Sequence, residues 1–144
     1  MFKRQKSNKK REERGFTLLE LLVVLVILGL LAALVAPRVL GYLGGAKADA
    51  ARVQIERLAS SIDFYHLDTG SYPTEAQGLK ILIEKPASAS TWNGPYLAKG
   101  ELPMDPWGRP YLYKIPGERT AFDIYTLGAD GVPGGEGDNA DIHY

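Results

Sequence analysis

Residues 15–37 read GFTLLELLVVLVILGLLAALVAP: a glycine, then 21 residues from Phe16 to Ala36 whose only charge is Glu20, then Pro37. Fifteen of those 21 are Leu, Ile, Val or Phe. As a helix rising about 1.5 Å per residue the run reaches roughly 31 Å, enough to cross the hydrocarbon core of a bilayer. On the insertion scale the fifteen apolar side chains together contribute about −4 to −9 kcal/mol. An acid at the centre of a span costs about 3 kcal/mol, and Glu20, near the end, costs less. Insertion wins, yet the carboxylate does nothing for an anchor. A charge in that position needs a partner.

Upstream, residues 1–15 hold Lys3, Arg4, Lys6, Lys9, Lys10, Arg11 and Arg14 against Glu12 and Glu13, a net +5. The overall charge is zero, so the remaining residues carry −5. A basic block directly before an apolar span is topogenic and predicts a cytoplasmic N-terminus, with the chain beyond about residue 37 on the far side. No nucleic-acid partner is expected. The competing reading is a removable secretory signal, whose apolar region is about 7–15 residues and ends in small residues. Here the run is longer, Leu34 stands where a small residue is wanted, and Pro37 follows. Cysteine is absent, which excludes a disulfide framework and a thiolate metal site. A small exported domain of this composition needs another staple.

Beyond Pro37, Ala51, Ile55, Leu58, Ile62 and Tyr65 recur at helical spacing, with Lys47, Asp49, Arg52, Glu56 and Arg57 on the other faces. Proline inside a helix bends it without having to end it. The pattern predicts one bent helix of roughly 50 residues, half membrane-spanning and half amphipathic. Gly41, Gly44 and Gly45 weaken it locally, each by about 1 kcal/mol relative to Ala, and leave open melting, close helix packing or a plain linker. Asp68-Thr69-Gly70-Ser71-Tyr72-Pro73 stops the helix. Thr74, Glu75 and Gln77 begin a short second helix with Leu79, Leu82 and Ile83 on one side, ended by Pro86. Residues 87–110 are loop, with Trp92, Tyr96 and Trp107 packing back on the core. Alternation over 111–115 and 122–126, joined by Pro116-Gly117-Glu118-Arg119-Thr120, predicts a β-hairpin. The fold class is α+β: a long N-terminal helix packed on a small antiparallel sheet.

After Arg119 no Lys or Arg remains, while Asp123, Asp130, Glu136, Asp138 and Asp141 do, interleaved with five glycines. Uncompensated carboxylates favour disorder. A hard cation reverses that preference, because Ca2+ takes six to eight oxygens from carboxylates and from carbonyls that glycines help to turn inward. The run GADGVPGGEGDNAD lacks the alternating acids of an EF-hand, so its pattern suits a calcium loop and an unstructured tail equally. For catalysis the chain offers little. His66 and His143 have no metal-ligand spacing, and Ser60 and Ser61 lie in a helix without a surrounding motif.

KREERGFTLLELLVVLVILGLLAALVAP resembles the N-terminus of type IV prepilins. DTGSYPTEAQGL, NGPYL, PMDPWGRPYLY and YTLGADGVPGGEGDNADI are similar to segments of the major pseudopilins of bacterial type II secretion, the general secretion pathway protein G family. The likeness covers essentially residues 11–144. It implies a pilin-like fold with residues 1–15 as a cleaved basic leader, 16–36 as a transmembrane segment and 37–144 as a periplasmic domain. Prepilin peptidase would cut between Gly15 and Phe16 and methylate the new amine, which Glu20 of a neighbouring subunit would neutralise. The resemblance also implies a calcium site made by the carboxylates of Asp130, Asp138 and Asp141 with the carbonyls of Leu127 and Val132. The implied product is a homo-oligomeric periplasmic filament held in the inner membrane before assembly. Its partners would be an assembly platform, minor pseudopilins, an outer-membrane secretin and a separate cytoplasmic ATPase. The other readings are a type IV pilus subunit for adhesion or motility and a monomeric membrane-anchored binding domain.

Overall fold

Thr17 and Glu20 start the long helix as a capping box, the reciprocal arrangement in which each side chain caps the other's backbone N–H. The Thr17 backbone N–H donates to Glu20 Oε2 at 2.9 Å, and the Glu20 N–H donates to Thr17 Oγ1 at 3.2 Å. From there the computed structural model, which describes residues 15–87 and 89–144, runs one α-helix, α1, from Leu18 to Thr69 with Pro37 inside it. The basic leader, apart from Gly15, lies outside the described residues. Gly70, at φ 78°, ends the helix by taking a left-handed conformation, and its N–H donates to the His66 carbonyl at 2.8 Å. The stop at 68–70 is where the turn formers predict it.

The chain divides into two compact units, residues 1–38 and Val39–Tyr144. In the first, every described residue is exposed, and α1 contains a window of mean hydropathy 3.1 with none of it buried. By length and composition that helix can cross a membrane. In the second unit, all five residues of the predicted amphipathic face are buried: Ala51, Ile55, Leu58, Ile62 and Tyr65. They form one core with Leu79, Ile81, Leu82, Tyr111, Phe122, Ile124 and Ile142.

The expected second helix is shorter than its pattern suggests. Thr74 and Gln77 do form a capping box, with the Thr74 N–H donating to Gln77 Oε1 at 2.8 Å, but the chain beyond them makes only a 3-10 turn over Gly78–Leu82. Gly78 sits at φ 55°, outside the right-handed helical region, so it interrupts the turn that Thr74 and Gln77 begin and only a short 3-10 turn follows. Leu79 and Leu82 face the core as expected, while Ile81 takes the place assigned to Ile83. The loop aromatics pack inward, and Trp92 Nε1 donates to the Ile81 carbonyl at 2.8 Å.

The sheet has three antiparallel strands in the order β1 (Leu112–Lys114), β2 (Asp123–Thr126), β3 (Ile142–His143). Leu112 pairs with Tyr125, and Thr126 pairs with Ile142. The α+β expectation therefore holds, and β3 is an addition that the hairpin pattern did not contain.

Two tyrosines tie the core together. Tyr111 donates to Gln54 Oε1 at 2.5 Å and Tyr113 to the Pro73 carbonyl at 2.9 Å. Burial pushes both phenols up to about 12, helped at Tyr111 by the Asp105 charge and at Tyr113 by Tyr72 and Tyr65. A phenol whose pKa is raised in the folded state stabilises fully below its ordinary value near 10, and that stability is lost as pH climbs through the folded value. The melting temperature should therefore fall between about pH 10 and 12, and Tyr113→Phe should flatten the decline. A Phe variant with the wild-type slope would remove Tyr113 from the account.

Candidate functional site

The N-terminal site is the start of α1. Phe16, at 81% exposure, and Leu19 at 72% flank the carboxylate of Glu20, whose Oε2 accepts from the Thr17 N–H and from Thr17 Oγ1 at 3.2 Å. Sequence reasoning treats Glu20 as a charge in need of a partner and passes over the T-x-x-E spacing that caps its own helix. The two roles are compatible, because a carboxylate has about four lone-pair sites.

The second site is the connection between β2 and β3, residues 127–141. It is a folded loop closed on itself, with the Ala129 N–H donating to the Asp138 carbonyl at 2.8 Å and the Gly131 N–H to the Leu127 carbonyl at 3.2 Å. Gly128, at φ 62°, is packed so tightly that a Cβ there would lie 2.7 Å from the carbonyl of Ala140. Only glycine fits that crossing.

The three carboxylates singled out in the sequence occupy this loop in different ways. Asp130 Oδ1 accepts from the Val132 N–H at 3.0 Å, and Asp141 Oδ2 accepts from the Gly134 N–H at 2.9 Å. Asp138 turns toward α1, where a Cβ added to the buried Gly44 would collide with its carboxylate. Among the described residues, no three of His, Cys, Asp and Glu are gathered as a metal-holding group. One feature of the loop nonetheless suits a hard cation. Asp141 Oδ1 is buried without a hydrogen-bond partner, and none of the ion pairs among the described residues engages Asp130, Asp138 or Asp141. A buried, unpaired carboxylate oxygen is costly, and an oxygen-seeking divalent ion is one group that relieves it.

His66 stacks on Tyr72 with ring centroids 4.1 Å apart, and His143 stacks on Tyr125 at 5.1 Å. Ser60 and Ser61 donate back to the carbonyls of Glu56 and Arg57.

Comparison with known proteins places this geometry. The family model of type II secretion system protein G matches residues 38–144, and the prokaryotic N-terminal methylation motif matches residues 10–36. The chain belongs to the type II secretion system protein G family. It is 47% identical over 137 residues to the type II secretion system core protein G of Pseudomonas aeruginosa, covering 92% of this chain and 95% of that one. It is likewise 47% identical to the Vibrio cholerae core protein G, covering 93% and 92% of the two chains. Among solved structures it matches the major pseudopilin of the type 2 secretion system of enterohaemorrhagic Escherichia coli. That match has a TM-score of 0.62 and 34% identity, over 72% of this chain and 90% of that one. As a protein G chain it is a pseudopilus subunit of type II secretion. That decides between the secretion filament and the adhesive or motile pilus left open by the sequence.

Proposed function

We propose that this subunit is cut by prepilin peptidase between Gly15 and Phe16, and is held in the inner membrane by residues 16–36 with its N-terminus toward the cytoplasm. Processed copies then stack into a periplasmic filament whose growth moves folded proteins through an outer-membrane secretin. The assembly platform, the minor pseudopilins and a cytoplasmic ATPase are its partners in that cycle. The chain serves as a structural element and performs no chemistry on substrates.

The observation that carries this reading is the exposed apolar run of α1 with one carboxylate at its entry. An exposed stripe of this size must be covered, first by lipid and then by the helices of other copies. In the dry filament core Glu20 would meet the methylated amine of Phe16 on a neighbour, where opposite charges gain from pairing and suffer if one is removed.

For the second site the proposed cation is calcium, held by the carboxylates of Asp130, Asp138 and Asp141 and the carbonyls of Leu127 and Val132. Bound there it neutralises acids that otherwise repel one another and closes the loop in a domain that has no disulfide.

Intact-mass analysis of the chain purified from cells with and without prepilin peptidase tests the processing. The expected product begins at a methylated Phe16 only when the peptidase is present. A product that keeps residues 1–15 in both cells, in a strain whose export is restored by this chain, would overturn the proposal.

A further inference from the structure

The acidic connection contains no Lys or Arg of its own, and Arg109 reaches it from a different part of the chain. Asp105, with its side chain fully buried, organises the turn Asp105-Pro106-Trp107-Gly108-Arg109. Its Oδ1 accepts from the Trp107 N–H at 3.0 Å and the Arg109 N–H at 2.7 Å. Its Oδ2 accepts from Thr126 Oγ1 and lies 3.6 Å from Arg109 Nε. The guanidinium is thereby aimed into the loop. There Arg109 Nη2 donates to the Gly128 carbonyl and Nη1 to the Ala129 carbonyl at 3.4 Å. It also lies against Gly131, where an added Cβ would collide with Nη1.

We propose that Arg109 is a positioning residue for the cation loop, an inference that rests on the calcium reading above. By gripping the carbonyls of Gly128 and Ala129 it fixes the backbone between Leu127 and Val132, whose carbonyls are the proposed main-chain ligands; that of Leu127 also accepts the Gly131 N–H and keeps a second lone pair for the ion. A guanidinium suits the task because its planar fork spans two acceptors and the acid behind it at once. The Asp105 charge offsets that of the fork, which lets a dication bind close by. Holding residues 127–131 in shape before the ion arrives lowers the ordering cost of binding.

The test uses the full-length chain in detergent as wild type, Arg109→Gln and Arg109→Lys. It reads amide hydrogen exchange in chelator, and calcium binding by calorimetry. In Arg109→Gln, exchange at Ala129 and Gly131 should quicken at least about tenfold while the Ile62 amide keeps its rate. The calcium dissociation constant should rise about tenfold or more. Arg109→Lys, which keeps the charge without the fork, should resemble the Gln variant. Unchanged exchange at Ala129 and Gly131 would overturn the proposal. So would acceleration that includes Ile62, unaltered calcium affinity in the Gln variant, or full rescue by Lys. A wild-type chain that takes up no calcium would end the cation reading itself, and the exchange measurement alone would then decide whether Arg109 sets the loop.

Discussion

Replacing Glu20 by glutamine is expected to abolish filament assembly and to cut export on the order of a hundredfold, because removing one partner of a desolvated ion pair costs about 3–5 kcal/mol. The choice of glutamine matters. In the monomer Glu20 accepts from the Thr17 N–H, and a glutamine oxygen can accept from the same donor. The helix start is therefore preserved and only the charge is lost. Thr17→Val gives the reverse case. It removes the hydroxyl that caps the Glu20 N–H, costing about 0.5–2 kcal/mol locally, and leaves the carboxylate free to meet a neighbour's terminus. Assembly should survive in Thr17→Val and fail in Glu20→Gln. Pelleted filaments and secreted protein, measured in a strain lacking the native subunit, read both outcomes. If the Gln variant assembles normally while the Val variant does not, the carboxylate is only a cap.

The elements legible in the sequence are those whose signal is local and periodic. The buried face of α1 from Ala51 to Tyr65 can be read from spacing alone, since a helix repeats its inward positions every three or four residues. Both strands of the hairpin show alternation, and Gly70 marks the helix end. The hidden features depend on partners distant in sequence. Strand β3 is two residues long, too short for alternation, and exists because Ile142 pairs with Thr126 across the whole acidic connection. Arg109 lies ahead of the loop it grips, so counting charges after Arg119 cannot find it. Gly44 reads as a weak point in a helix, whereas it is the buried position over which Asp138 lies. The likeness to known proteins identifies the family, and the cation reading stands on the oxygen atoms of the second site.

Those oxygens lead to the other large effect, on stability in calcium against chelator. A ligand that binds only the folded chain stabilises it by about 2.7 kcal/mol at a hundredfold excess over its dissociation constant. In a domain near 100 residues each kcal/mol moves the melting temperature by about 4–8 °C, so chelation should lower it by roughly ten degrees or more. Asp141→Ala should abolish that difference, and so should Asp130→Ala. The position of Asp141 adds a sharper expectation. Its Oδ2 accepts the Gly134 N–H at 2.9 Å, but its Oδ1 is buried with nothing to accept from. Truncation in chelator thus loses one hydrogen bond and relieves one unsatisfied oxygen, terms of about 1–3 kcal/mol each with opposite sign. The variant should melt near the chelated wild type in either buffer. A merely structural aspartate would instead destabilise the chain equally with and without calcium. Scanning calorimetry of the four combinations separates the two, and a wild-type chain that melts identically in calcium and chelator would refute the staple outright.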